Sequence, residues 1–197
     1  MSGPFFLHAY GLAYAVAVVA AVLCGGCSAA RSMSSDRARS RPDLASARSV
    51  GHGSRFRPGP TGALVARARP VDGMRCRAPA RIVAAAHVEV FAFGHVVVIP
   101  AGMGVAPPLR RRGAYVDGGR CAYPLWTVEP TRLLLTQTPR RLTLGQVFES
   151  WGQALTHRMV ASFVAPTGAG VSVFIDGAPW RGDPSSAPIA AAAGPER

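Results

Sequence analysis

The apolar positions along the chain follow three regimes. Residues 4–30 are apolar almost without a break and contain no Asp, Glu or Arg; residues 12–23 use only Leu, Ala, Val and Tyr. Between residues 28 and 75 the large apolar side chains thin out, and Leu44, Val50, Phe56, Leu64 and Val65 recur at neither a helical nor a strand period. From residue 76 onward periodic patterns appear.

Residues 82–93 are rich in Ala, Val and Phe, with Glu89 the only acid. Gly94-His95 interrupts them, Val96-Val97-Val98-Ile99 follows, and Pro100 ends the run. Two β-prone runs across a short Gly-containing break predict a hairpin. Residues 101–120, dominated by Gly, Pro and Arg, predict a loop. Residues 123–128 and 133–136 are two further strand candidates. Thr143 followed three positions later by Gln146 is the signature of a capping box, and Leu144, Val147, Phe148, Trp151 and Leu155 repeat at intervals of three and four. That spacing predicts one helix with a core-facing stripe. Val171-Ser172-Val173-Phe174-Ile175 alternates as a strand, Asp176-Gly177 tolerates the positive φ of a two-residue turn, and Ala178-Pro179-Trp180 returns. The order of hairpin, loop, strands, helix and hairpin predicts a small β-rich α+β domain with one main helix over residues 76–197.

The N-terminal apolar run suits a signal-peptide core, and with its flanks it reaches the length needed to span a bilayer. Residues 1–27 are therefore expected to be a signal peptide or membrane anchor. Leu23-Cys24-Gly25-Gly26-Cys27-Ser28 is similar to a bacterial lipoprotein cleavage box, which makes Cys27 the candidate lipidated residue. Ordinary signal cleavage near Ser28-Ala29-Ala30 fits as well. An opposite topology stays open: no Arg precedes the apolar run, while Arg31, Arg37, Arg39 and Arg41 follow it, a bias that holds the downstream side in the cytoplasm.

Composition sharpens the middle segment. All 22 basic residues are Arg and the formal net charge is +12; Lys and Asn are missing altogether, which reads as the codon bias of a GC-rich genome. Residues 28–75 hold ten Arg against Asp36, Asp43 and Asp72. With so little apolar surface to bury, this segment is expected to be a disordered linker between anchor and domain. Its charge suits anionic lipid or an anionic envelope polymer. Specific nucleic-acid binding is disfavoured, since Phe56 is its only aromatic.

Cys76 and Cys121 bracket the first half of the domain. In an oxidising compartment two lone cysteines in one domain usually pair; in a reducing one they would be free buried thiols. Zinc spacing is absent. His87 and Glu89, two apart on a strand, share a face and are the only candidate metal pair, with no third ligand in reach of the pattern. His-x-Glu also opens the zinc-deaminase signature, but no Pro-Cys-x-x-Cys follows. Gly102-x-Gly104 lacks the third Gly of a dinucleotide fingerprint, and Pro107-Pro108 forbids the helix that must follow it. His157, just past the predicted helix, is expected to face its C-terminal dipole.

Several strings together resemble a family of uncharacterised bacterial exported proteins. They are Cys76, His87-Val88-Glu89-Val90-Phe91, Ile99-Pro100-Ala101-Gly102-Met103-Gly104, Cys121-Ala122-Tyr123-Pro124-Leu125, residues 142–148 with Trp151-Gly152, and Val173-Phe174-Ile175-Asp176-Gly177. Members carry His-x-His-x-His-Leu-Asp, Leu-His-Thr-His-Asp and Thr-Leu-Gly-Gln-Phe-Phe segments, whose histidines imply a metal site. Here that set is largely replaced: Ala85, Trp126, Val128 and Leu135 stand where histidines are expected, and Glu129 stands for the Asp. The resemblance implies a retained scaffold with the polar cluster lost, and no closing strand is expected after residue 190.

The sequence thus leads to a tethered, extracytoplasmic, non-enzymatic module of the cell envelope without a cofactor. Two alternatives remain, a periplasmic or cell-wall metal-binding module and a reversed anchor carrying a cytoplasmic basic domain.

Overall fold

The strand Ala84–Ala92 organises the protein. Its even positions Ala86, Val88, Val90 and Ala92 enter the main core, while His87, Glu89 and Phe91 take the other face, as the period of two requires. In this computed structural model the described residues are 53–59, 62–130, 133–138 and 140–189, with the backbone alone at Phe5–Phe6, Val16–Val18 and Ala20–Ala21.

One eight-stranded sheet forms around that strand. On one edge it pairs antiparallel with Leu133–Thr136, which pairs in turn with Leu125–Trp126. Val16–Val18 pairs parallel with residues 87–89 and antiparallel with Val173–Ile175, which forms a hairpin with Ala178–Trp180. His95–Val97 folds back on residues 90–92, and Ser54–Phe56 adds to it in parallel. The predicted hairpins are both present. The first turns at Phe93-Gly94, with φ of 49° and 74°, one residue earlier than the break in the pattern; the second turns at Asp176-Gly177 with φ of 51° and 78°.

The main helix is Leu144–Trp151. Its capping box is intact: the Gln146 N–H donates to Thr143 Oγ1 at 3.2 Å, and the Thr143 N–H donates to Gln146 Oε1 at 3.1 Å. Gly152 ends it in the left-handed conformation, as is usual at a helix C-terminus. Leu144, Val147, Phe148 and Trp151 are buried together with Tyr123, Leu125, Leu134 and Ile99. Each such side chain contributes about 1.5–3 kcal/mol by leaving water. Leu155 lies past the helix, in an isolated bridge to Val160.

Two expectations are corrected. The linker assigned to residues 28–75 is folded from residue 53 on. Ser54–Phe56 is a strand, Ala63–Ala66 is one helical turn, and Val65, Val71 and Met74 are core residues. Each of these docks singly through a turn, so no period marks them. Residues 28–52 lie outside the described residues. Residues 101–120 are not a loop throughout: Val105–Ala106 pairs with Cys121–Ala122, and Arg110–Arg112 forms a hairpin with Tyr115–Gly118. All three arginines of that hairpin face solvent, which removed the apolar alternation that marks a strand. Pro188–Ile189 pairs with Leu142–Thr143 beside the helix start, and residues 190–197, on which the expectation about a closing strand falls, lie outside the described residues.

Candidate functional site

The cysteines fix the site's frame. Cys76 and Cys121 form a disulfide with Cα atoms 5.5 Å apart, across 45 positions of sequence. Beside it Arg77 and Ala122 exchange backbone hydrogen bonds of 2.9 and 2.8 Å, and the Tyr123 hydroxyl donates to the Arg69 carbonyl. Arg120 reaches the Ala66 carbonyl at 3.3 Å. The segment 62–77 is thereby fastened to the strand Cys121–Ala122 by one covalent and four polar contacts. Burial holds the Tyr123 phenol above its ordinary pKa, and the nearby Arg120 charge partly opposes this.

His87 and Glu89 do share a face, with His87 half-buried and Glu89 buried. Among the described residues, however, no three His, Cys, Asp or Glu side chains come together as a metal site would need. Trp126 and Leu135, which stand in place of the expected histidines, face each other across paired strands. Both belong to a small apolar cluster with Val105, Val116 and Ala122.

His157 lies six residues past Trp151, the last residue of the helix. Its Nε2 lies 3.0 Å from Asp183 Oδ2. Asp183 caps the short turn Pro184–Ser186, accepting from the Ser185 N–H at 2.7 Å and from the Ser185 hydroxyl. These bonds, the Ser185 hydroxyl first and the His157 charge after, hold the Asp183 carboxyl below its ordinary pKa. Ser, Asp and His occur together, but the carboxylate sits between the other two. A hydrolytic triad needs the imidazole on the hydroxyl, so here no base takes the Ser185 proton. The three residues form a solvent-exposed turn cap.

Two open cavities among the described residues bear on function. The larger, about 620 Å³, runs along the main helix and is lined by Asp72, Thr143, Glu149, Gln153 and Ser185 among others. The smaller, about 300 Å³, has aliphatic walls of Pro58, Val98, Pro100 and Pro130, with Arg57 and Arg111 also lining it. Sequence reasoning missed this second cavity, because it placed Arg57 in a disordered linker and Arg111 in a loop.

Among the described residues no helix is long and apolar enough to cross a membrane, a finding that does not bear on β-barrels. Cys27 and the anchor segment lie outside the described residues, apart from the backbone strands already given. No protein-family model, curated protein or solved structure matches the chain.

Proposed function

We propose that this chain is an exported, membrane-tethered module of the cell envelope that binds rather than catalyses. Residues 1–27 carry it to the membrane, Cys27 is the lipid-bearing residue, and the arginine-rich stretch to residue 52 lies against anionic lipid or envelope polymer. The observation that carries this reading is the Cys76–Cys121 disulfide. Such a bond persists in oxidising compartments and is rare in the cytosol. It supports export over the reversed topology, in which the same pair would be reduced. The resemblance to exported proteins points the same way. Binding is favoured over catalysis because His157, Asp183 and Ser185 are connected in an order that serves a turn.

Peptide mapping without reductant, on protein taken from intact cells, tests the reading. The expected result is one cross-linked Cys76–Cys121 peptide pair, with the folded domain cut by protease added outside the inner membrane. Reduced cysteines on a protected domain overturn it. Lipid labelling that survives Cys24→Ser and is lost in Cys27→Ser identifies the anchor; labelling of neither discards it.

A further inference from the structure

The smaller cavity joins the two halves of the charge pattern. Arg57 comes from the segment that the sequence assigns to the linker, and Arg111 from the exposed hairpin. Among the described residues no acidic side chain lines the cavity. Among the described residues neither arginine takes part in an ion pair, whereas the neighbouring Arg110 lies 3.9 Å from Asp117. Two uncompensated cations therefore share one concave surface.

The walls are held in place before any ligand arrives. The Val98 N–H donates to the Phe56 carbonyl at 2.8 Å, fixing the segment before Arg57 to the segment before Pro100. Thr127 is fully buried; its Oγ1 donates to the Pro100 carbonyl at 2.6 Å and accepts from the Met103 N–H at 3.0 Å. The Val116 N–H donates to the Val128 carbonyl at 2.7 Å, which ties the arginine hairpin to the segment leading to Pro130. A cavity fixed in this way loses little ordering entropy on binding.

We propose that this cavity is a binding site for a phosphodiester-linked polymer with small, uncharged, carbon-rich units between its phosphates. Two guanidinium groups match a tetrahedral phosphate, whose oxygens accept from two directions; a single planar carboxylate is already satisfied by one guanidinium fork. The proline and valine walls cover the carbon units between charges. Nucleic acid shares the phosphate, but its bases need aromatic platforms, and among the described residues no aromatic side chain lines the cavity. The oxyanion site depends only on the folded domain. The choice of an envelope polymer as its source rests on the function proposed above.

The test uses the full chain in detergent and poly(glycerol phosphate), with single-stranded oligonucleotide and polyglutamate of matched charge as comparisons. Arg57→Ala/Arg111→Ala is set against Arg140→Ala/Arg181→Ala, which removes equal charge from exposed positions outside the cavity. The cavity variant is expected to lose about tenfold or more in affinity for poly(glycerol phosphate), and the dependence of log K on log salt to fall by about 0.7–0.9, as for one lost phosphate contact. The other variant should lose less than about threefold, the field effect alone. Arg57→Lys/Arg111→Lys should recover part of the affinity and so exclude a folding defect. Equal losses in both alanine variants, or tighter binding of oligonucleotide or polyglutamate than of poly(glycerol phosphate), overturn the proposal. Because binding is measured on purified protein, a failure here leaves the cellular location untouched. A cytoplasmic location would likewise leave the oxyanion site standing and remove only the polymer's source.

Discussion

Gly104 lies against the backbone of Leu125 so closely that a Cβ on Gly104 would stand 2.1 Å from the Leu125 carbonyl oxygen. Gly104 also has φ of 78°, a conformation that costs other residues roughly 1–2 kcal/mol. The contact sits where the turn after Pro100 crosses the strand Leu125–Trp126, and the Tyr123 N–H donates to the Gly104 carbonyl at 2.9 Å. This crossing joins the main core to the small cluster around Trp126.

Gly104→Ala is expected to destabilise the domain by about 3 kcal/mol or more, from backbone strain and steric displacement together. Gly113→Ala is the control, since nothing lies within 4 Å of its Cβ position although its φ is 61°. Its cost should be that of conformation alone, about 1 kcal/mol. Denaturant midpoints at constant slope measure both, and equal costs would show that the Leu125 contact has room to relax.

The disulfide closes a loop spanning 45 positions. Loop-closure entropy gives about 4 kcal/mol for that length. Cys76→Ser/Cys121→Ser should lower stability by up to that amount and loosen the segment 62–77 first, because only the Tyr123–Arg69, Arg77–Ala122 and Arg120–Ala66 bonds then fasten it to residues 120–123. Limited trypsin digestion should cut after Arg75 or Arg77 well before it cuts after Arg158, whose guanidinium is held by the Ala165 carbonyl at 2.9 Å. Simultaneous cutting at all three sites would mean that the segment is no weaker than the rest.

Tyr123 sets an alkaline limit. Its folded-state pKa is raised by burial, so the unfolded chain releases this proton at lower pH than the folded one. Stability is therefore complete below the unfolded value of about 10 and declines as pH rises through it, until the folded form also ionises. Tyr123→Phe removes the proton and should flatten this part of the profile. It should also cost about 1 kcal/mol at neutral pH, from the lost bond to the Arg69 carbonyl. Thermal unfolding between pH 8 and 11 compares the two; parallel profiles would rule out Tyr123 as the source.

Periodic segments were legible in the sequence and singly docked ones were not. Thr143, Gln146 and the stripe Leu144, Val147, Phe148 and Trp151 follow from local rules that tertiary context did not override, and so do the two hairpins. Val65, Val71 and Met74 fill the core from one helical turn and a bend, so each looked like a stray apolar residue in a polar stretch. In the arginine hairpin Arg110–Arg112 is exposed throughout and only Val116 of the return strand is a buried large apolar residue, too little to mark a period. The cavity with Arg57 and Arg111 was illegible for a different reason: its residues come from segments far apart in sequence, joined through the buried hydroxyl of Thr127.

The last prediction concerns Val16–Val18, which pairs with residues 87–89 and with residues 174–175. A segment that crosses a bilayer as a leader cannot hold that place in the sheet, because in hydrocarbon its backbone must satisfy itself as a helix. Among the described residues the core cluster draws its buried side chains from residue 65 onward, and a chain beginning at Ser28 keeps these. That chain is expected to fold, with Cys76 joined to Cys121 and sharp near-ultraviolet aromatic ellipticity from Trp151 and Tyr123. Its amides around Val88 and Ile175 should exchange faster than those around Leu134 and Val97, whose strand partners remain. Loss of cooperative unfolding in the shortened chain would instead make Val16–Val18 an obligatory inner strand, and the leader would have to be given up.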